Sequence, residues 1–168
     1  MPTTDASVTI RPATRADAPT LGRLGALLVR THHDFDTRRF IAAGPGTERG
    51  YGSWLASQTA QPNIIVLVAE GGGEVLGYAY AGLEDTDYMA LRGPAGALYD
   101  IIVDPAHRGR GIGRMLLDAV LAALRERGAP RVVLSTAQRN EPAQRLFEHA
   151  GFRRTMIEMT RELDGDAP

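Results

Sequence analysis

Between residues 98 and 127 the sequence contains a pattern that suits the binding of a phosphate group. Residues 98–104 are mostly apolar and predict a buried strand, and residues 114–127 have the apolar spacing of an amphipathic helix. Three alternating glycines, Gly109, Gly111 and Gly113, lie between them and let the backbone turn without a Cβ in the way. Main-chain N–H groups at the start of a helix form an electropositive site for phosphate oxygens. The loop is therefore predicted to bind a pyrophosphate.

Two arginines in the same loop favour this interpretation over a simple tight turn, which glycines before a helix can also form. Arg108 and Arg110 carry planar guanidinium groups that hold phosphate through paired hydrogen bonds. The spacing also excludes two other phosphate-binding motifs. A dinucleotide-binding fingerprint needs a third glycine where Arg114 stands, and no Gly-Lys-Ser/Thr follows as a P-loop requires.

This loop and the segment after it resemble the GNAT superfamily of N-acetyltransferases. Residues 108–113, Arg-Gly-Arg-Gly-Ile-Gly, match the family's Arg/Gln-x-x-Gly-x-Gly/Ala motif, and a second match consists of a strand at 131–136, Asn140 and a helix at 141–150. The resemblance covers residues 97–163. It implies an α/β (α+β) fold, with a mixed, mostly antiparallel sheet of six or seven strands and about four flanking helices. In such a fold two strands splay apart to form the CoA cleft.

The resemblance also implies a reaction and its binding residues. Acetyl-CoA would be the cosubstrate, a primary amine of a small molecule or peptide would be the acceptor, and the amine would attack directly in a ternary complex. A main-chain N–H near Val103, at a bulge in the central strand, would stabilise the oxyanion. Asn140 also suits the N-cap of its helix. The cofactor-binding residues implied are Ile102, Val103, Arg108, Gly109, Arg110, Gly111, Ile112, Gly113, Arg114 and Asn140.

The catalytic candidates lie on the strand before the loop. Asp100 is the carboxylate inside an apolar segment, and burial raises the pKa of a carboxyl group toward values that suit a general base. It is predicted to act as the base or as an anchor for the substrate ammonium. A strand aspartate that only caps a loop, and a water relay without a protein base, are the alternatives.

The general acid is where the sequence departs from the family. Many members have a tyrosine on the second conserved helix that protonates the leaving thiolate, and Phe147 stands at that position. Tyr99, where many members have a glutamate, is a candidate replacement, as are Tyr78 and Tyr80, and core packing with a hydrogen-bonded hydroxyl is the alternative for each. Because a thiol has a pKa of about 8.5, the thiolate can also leave unassisted.

Composition limits the other classes of function. The 168 residues, 43% hydrophobic and 23% charged, predict one globular domain with a core at 7–163 and flexible tails at 1–6 and 164–168. A net charge of −1 predicts no general affinity for nucleic acid or anionic membranes, and the absence of a long apolar run or a signal-like start predicts a cytoplasmic protein. The sequence has no cysteine and no lysine, which excludes thiolate and Schiff-base chemistry.

The first half of the chain supplies the remaining elements. A strand is predicted at 7–11, a leucine-striped helix follows the capping-box spacing at 14–17, and two strands at 63–70 and 75–83 form a hairpin around three glycines. His32 and His33 are potential metal ligands, but neighbouring helical residues point about 100° apart, so no metal site is predicted. Two short helices are expected to bury Phe40 with Ile41 and Trp54 with Leu55.

The end of the chain leaves the acceptor side of the site undecided. Residues 152–163 are predicted to form one last strand, where family members often have two strands and a covering loop. The acceptor side would then be open, or a second subunit of a homodimer would complete it. Two other classes stay open: a non-catalytic acyl-CoA-binding protein, which Phe147 favours, and a nucleotide-binding α/β protein that uses the same glycine loop.

Overall fold

The sheet consists of an antiparallel meander completed by one parallel strand. The computed structural model describes residues 7–165, and in this part of the chain five strands lie in the order β1-β2-β3-β4-β5. Only the β4–β5 pair is parallel. The strands are β1 (Thr9–Pro12), β2 (Ile64–Gly71), β3 (Glu74–Glu84), β4 (Ala95–Val103) and β5 (Val132–Leu134). The predicted tail at 1–6 and residues 166–168 of the predicted tail at 164–168 lie outside the described residues.

Within residues 7–165, four α-helices cover the two faces of this sheet. They are α1 (Ala18–Phe35), α2 (Thr47–Gln58), α3 (Ile112–Glu126) and α4 (Glu141–His149). Leu21, Leu24 and Leu55 of α1 and α2 pack on one face with Tyr78 and Ile102. The apolar side of α3, together with Phe147 of α4, packs on the other face. The predicted fold class, a mixed and mostly antiparallel sheet flanked by four helices, is confirmed.

The predicted last strand is wrong, and the part of the chain that the structure describes therefore has five strands in its sheet rather than six or seven. Residues 152–163 have no regular secondary structure, and the segment 153–163 is exposed. Met156 and Ile157 are adjacent and would face opposite sides of a strand, so the apolar residues of this segment are not confined to one face. In addition β5 is only three residues long and offers a short edge for pairing.

The two short helices predicted after α1 are also partly wrong. Residues 36–46 form turns, because the Asp36 carboxylate accepts hydrogen bonds from the N–H groups of Arg38 and Arg39 and competes with helix formation. Ile41 is exposed. In α2, Leu55 is buried as expected, whereas its neighbour Trp54 faces solvent.

Glycines let α1 and α2 approach each other closely. A Cβ placed on Gly22 would lie 2.1 Å from the carbonyl oxygen of Glu48, and one on Gly25 would lie 2.1 Å from the ring of Tyr51. Neither contact is sterically allowed, so glycine is required at both positions. The Tyr51 ring therefore occupies its position under the sheet because Gly25 has no side chain.

We expect Gly25→Ala to lower the free energy of unfolding by about 1–3 kcal/mol, because the added methyl group displaces the Tyr51 ring. Denaturant unfolding measures the change. Gly50→Ala is the matched control, since a Cβ at Gly50 meets nothing within 4 Å and alanine favours a helix. Equal losses in the two variants would contradict the close contact.

No helix within residues 7–165 is long and apolar enough to cross a membrane.

Candidate functional site

A cleft opens where β4 and β5 separate. The two strands pair only between Gly96–Leu98 and Val132–Leu134, and beyond Leu98 the second half of β4 has no strand beside it on that edge within the described chain. The cleft is lined by Leu28, His32, Leu98, Tyr99, Asp100, Ile101, Leu134, Ser135, Thr136, Asn140, Ala143 and Phe147. This is the splayed strand pair expected from the sequence.

A β-bulge at Tyr99 decides which main-chain groups face this cleft. Tyr80 pairs with Asp100 and Ala81 pairs with Leu98, so Tyr99 is the extra residue. Before the bulge, the N–H of Gly96 points to β5, because it donates to the carbonyl of Arg131. After it, even-numbered residues point to β3 instead. The bulge was predicted near Val103, and that position is wrong.

Past the bulge, Ile101 and Val103 turn their main-chain groups toward the open edge. The Asp104 N–H donates to Leu76 on β3 at 2.8 Å, and the direction of these groups alternates along a strand. The N–H groups of Ile101 and Val103 therefore point away from β3, into the gap that β5 leaves. Ile102, predicted with Val103 as a main-chain contact, directs its N–H and carbonyl to β3.

The glycine loop leads from β4 into α3 with a row of open amides. Gly109 and Gly111 have φ values of 75° and 76°, a region that favours glycine. Gly111 is the N-cap of α3, and the buried Ile112 side chain anchors the first turn in the core. The N–H groups of Gly111, Ile112 and Gly113 have no hydrogen-bond acceptor within residues 7–165. These are residues of the loop for which the sequence predicts an anion site, and that site stays a prediction.

The three arginines of the loop differ in their contacts. Arg108 donates through Nε to the carbonyl of Val103 at 3.2 Å, which ties the loop to the end of β4. Arg110 Nη1 lies 3.2 Å from His107 Nδ1. Arg114 donates to the Asp118 carboxylate and, at 3.3 Å, to the carbonyl of His149 at the end of α4. Arg114 thus joins α3 to α4.

Asn140 lies on the opposite wall of the cleft as the N-cap of α4. Its Oδ1 accepts a hydrogen bond from the Ala143 N–H at 3.3 Å. This is the capping role that its sequence position indicates. The same residue lines the cleft.

Asp100 is a buried carboxylate at the floor of the cleft, and only 9% of it is exposed. Its Oδ2 accepts hydrogen bonds from the hydroxyls of Tyr51 at 2.7 Å and Tyr78 at 3.0 Å. Burial raises the pKa of Asp100, and the two tyrosine hydrogen bonds partly oppose that rise. Oδ1 has no hydrogen-bond partner within residues 7–165 and is not a fully buried atom. It is therefore open to the cleft.

Tyr51 was not among the site residues predicted from the sequence, and Tyr78 was considered only as a replacement acid or a packing residue. Tyr51 comes from α2, 49 residues before Asp100 in the chain, so no local pattern connects them. Gly25 lies against the Tyr51 ring, but its position in the sequence does not by itself indicate this contact. Both tyrosine pKa values are raised, mainly by burial, so the hydroxyls stay protonated as donors.

Tyr99 and Phe147 stand at two positions that were considered from the sequence for a general acid. The Tyr99 hydroxyl donates to Glu84 Oε1 at 2.8 Å, and burial raises the pKa of Tyr99. Phe147 is buried beside the cleft, with its ring centroid 5.9 Å from that of Phe152. Phe147 is therefore a packing residue with no proton to donate.

The histidines at the end of α1 make separate contacts. His32 Nδ1 lies 2.9 Å from the carbonyl of Leu28, and His33 Nδ1 lies 2.9 Å from that of Phe40. The described residues contain no group of three or more His, Asp or Glu side chains placed to bind a metal ion. Of the two histidines, His32 lines the cleft.

The part of the chain that forms most of this cleft matches a known protein family. The sequence model of the Acetyltransferase (GNAT) family matches residues 29–152. A mycothiol acetyltransferase from Thermobispora bispora is 38% identical over 96 residues, which are 55% of this chain and 31% of that enzyme. The chain spans about a third of the length of the curated relatives that it matches.

Solved structures show the same fold at lower sequence identity. A mutant of the BH1408 protein from Bacillus halodurans has a TM-score of 0.79 and 22% identity, over 92% of this chain and 99% of that chain. A predicted acetyltransferase from Clostridium acetobutylicum, crystallised with acetyl-CoA, has a TM-score of 0.70 and 18% identity, over 94% and 97%. These similarities show that the domain shares the fold of those proteins.

Proposed function

Because the chain belongs to the Acetyltransferase (GNAT) family, we propose that it transfers the acetyl group of acetyl-CoA to a primary amine. The single observation that supports this most is the row of open amides at Gly111, Ile112 and Gly113, next to the splayed edge of β4. A diphosphate needs such donors, and an acyl-carrying arm needs such an edge. The activity would reside in one domain built from residues 7–163.

The diphosphate would lie against the glycine loop. The loop amides point outward at the positive end of the α3 dipole, and Arg108 and Arg110 bring positive charge to the same loop. Arg114 contributes by joining the first turn of α3 to the end of α4. Gly109 and Gly111 are needed because their φ values are unfavourable for residues with a Cβ.

The pantetheine arm would extend along the open edge of β4. There the N–H groups of Ile101 and Val103 point into the gap. Asn140 lies on the facing wall and would contact the arm from α4. When bound, acetyl-CoA supplies an activated thioester, and the Val103 N–H is the donor we assign to the developing oxyanion.

Asp100 would hold the acceptor ammonium and then take its proton. Its Oδ1 is open to the cleft, while Tyr51 and Tyr78 fix the orientation of the carboxylate through Oδ2. The raised pKa brings Asp100 closer to the range in which a carboxylate works as a base. The chain supplies no acid at Phe147, so the thiolate would leave as such or take its proton from water.

The pH dependence of amine turnover tests the role of Tyr51. Only ionised Asp100 can hold or deprotonate the amine, so kcat/KM is expected to fall as the pH drops through its raised pKa. The Tyr51 hydrogen bond lowers that pKa. Tyr51→Phe should therefore raise the pKa further and move the acidic limb of the kcat/KM profile to higher pH.

Tyr88→Phe is the matched control for this shift, because Tyr88 is an exposed tyrosine and the hydroxyls that bond to Asp100 are those of Tyr51 and Tyr78. Its acidic limb should coincide with that of the native protein. An acidic limb that stays in place in Tyr51→Phe would remove Asp100 as the titrating group.

Two assays test the proposed activity itself. Acetyl-CoA binding is measured by thermal shift, where a ligand at 100 times its Kd stabilises the protein by about 2.7 kcal/mol. CoA release is then followed with a panel of primary amines. If acetyl-CoA bound but no amine in the panel caused CoA release, the result would favour the non-catalytic acyl-CoA-binding alternative, which Phe147 supports. Stabilisation by ATP or NAD and not by acetyl-CoA would favour a nucleotide-binding protein.

A homodimer in the cytoplasm forms part of the same proposal. Four large apolar side chains, Met156, Ile157, Met159 and Leu163, are exposed on the segment after α4. A second copy could cover them and complete the acceptor side. Sedimentation equilibrium of the full chain tests the dimer, and fractionation of cells that produce the protein tests its location.

A further inference from the structure

We propose that the acceptor carries its amine on a flat apolar group, such as an aromatic ring, which packs on an aromatic shelf beside Asp100. The shelf consists of Trp54, Tyr80 and Tyr99. This inference rests on the acetyl transfer proposed above. It assigns the chemical class of the acceptor, which that proposal leaves open.

The shelf is a continuous group of partly exposed rings. Trp54 is 55% exposed and Tyr99 is 42% exposed, although both are large side chains that a folded protein tends to bury. The Tyr80 and Tyr99 ring centroids lie 4.9 Å apart, with the planes tilted by 47°. Burial raises the pKa of Tyr80, and the Trp54 side chain partly opposes that rise. Tyr80 therefore packs on Tyr99 and lies near Trp54.

The bulge in β4 connects this shelf to the cleft. Leu98 and Ile101 both pack with the core on the α3 side, so the two residues between them, Tyr99 and Asp100, share the other face. Tyr99 also lines the cleft beside Asp100. A group that lies on the Tyr99 ring is thus next to the carboxylate oxygen that has no protein partner.

The charges near the shelf place the amine at Asp100. Glu84 accepts hydrogen bonds from Arg92 and from Tyr99, so its charge is already compensated. Asp100 has no salt bridge to an arginine within the described chain and keeps Oδ1 open. A single ammonium group would therefore sit at Asp100, within reach of the electron-rich faces of the tyrosine rings.

The polar atoms of the shelf favour an apolar acceptor over a sugar. The hydroxyl of Tyr99 is bonded to Glu84, and that of Tyr80 lies 3.5 Å from Gln58 Oε1 and also interacts with Trp54. Few donors or acceptors remain for a group that carries many hydroxyls. The ring faces remain available, and they suit stacking with another flat apolar group.

The test compares amines at saturating acetyl-CoA. We expect kcat/KM for 2-phenylethylamine to exceed the values for n-butylamine and glucosamine by about tenfold or more. Trp54→Ala and Tyr99→Leu should each lower kcat/KM for 2-phenylethylamine by about tenfold, mainly through KM, and leave the Kd of acetyl-CoA unchanged. Tyr99→Phe keeps the ring and should retain most of the preference.

Tyr88→Ala is the matched control, because Tyr88 is an exposed tyrosine in the loop between β3 and β4 and has no contact with the shelf rings. It should leave all three kcat/KM values unchanged. Equal or better turnover of n-butylamine or glucosamine, or no effect of the shelf variants, would overturn the shelf and leave acetyl transfer standing. Failure to bind acetyl-CoA, or to release CoA with any amine, would overturn the proposed function and the shelf together.

Discussion

Gly111→Asp is expected to weaken acetyl-CoA binding about 5- to 1,000-fold. The new carboxylate would stand at the N-cap of α3, where the open amides of Ile112 and Gly113 are proposed to hold the diphosphate. Two like charges about 4 Å apart repel by about 1–4 kcal/mol, depending on how far water screens them. Isothermal titration with acetyl-CoA measures the loss.

Gly111→Asn separates this charge effect from backbone strain. Gly111 has a φ of 76°, and asparagine and aspartate tolerate that region about equally well. The two variants should therefore unfold at similar temperatures and differ in acetyl-CoA affinity. Equal affinities in Gly111→Asp and Gly111→Asn would argue against a diphosphate at this loop.

Asp100→Asn is expected to lower amine turnover about 100- to 10,000-fold, the usual contribution of a general base. The amide is nearly the same size as the carboxyl group and can still accept from Tyr51 and Tyr78, but it can neither hold an ammonium by charge nor take a proton. The Kd of acetyl-CoA should not change, because the proposed diphosphate site lies in the loop after β4. Undiminished kcat would remove Asp100 from the reaction.

The same variant should keep or gain stability at neutral pH. Folding raises the pKa of Asp100, mainly by burial, so the ionised group opposes folding above that pKa. Asparagine removes this cost. Burial of the ionised Asp100 carboxylate lowers the stability of the fold but serves the proposed reaction. Such a conflict between stability and function is expected at a catalytic residue.

Asp104→Asn is the control, because its expected change in stability at neutral pH has the opposite sign. A hydrogen bond from the Ala106 N–H and the ion pair with Arg23 lower the pKa of Asp104, so its ionised form favours folding at neutral pH. Asp104→Asn should lose stability there, and the loss should shrink as the pH falls and Asp104 is protonated. If both asparagine variants lost stability at neutral pH, or if both gained it, this account of the two carboxyl groups would be contradicted.

Local patterns in the sequence determined most of the elements. The alternating glycines with Arg108 and Arg110 indicated the loop, the leucine stripe indicated α1, and the three glycines after residue 70 indicated the hairpin. Asn140 indicated the start of α4 through its capping position. Each of these features depends on residues within a few positions of one another, so the sequence alone contains the information.

Tertiary structure decided the orientation of the groups at the cleft. The bulge at Tyr99 turns Ile101 and Val103 to the open edge, and Tyr51 reaches Asp100 from a helix 49 residues earlier. The last predicted strand at 152–163 did not form, since a strand needs a partner edge as well as suitable residues. Register and long-range contacts arise from packing between distant segments, which is why no local spacing could reveal them.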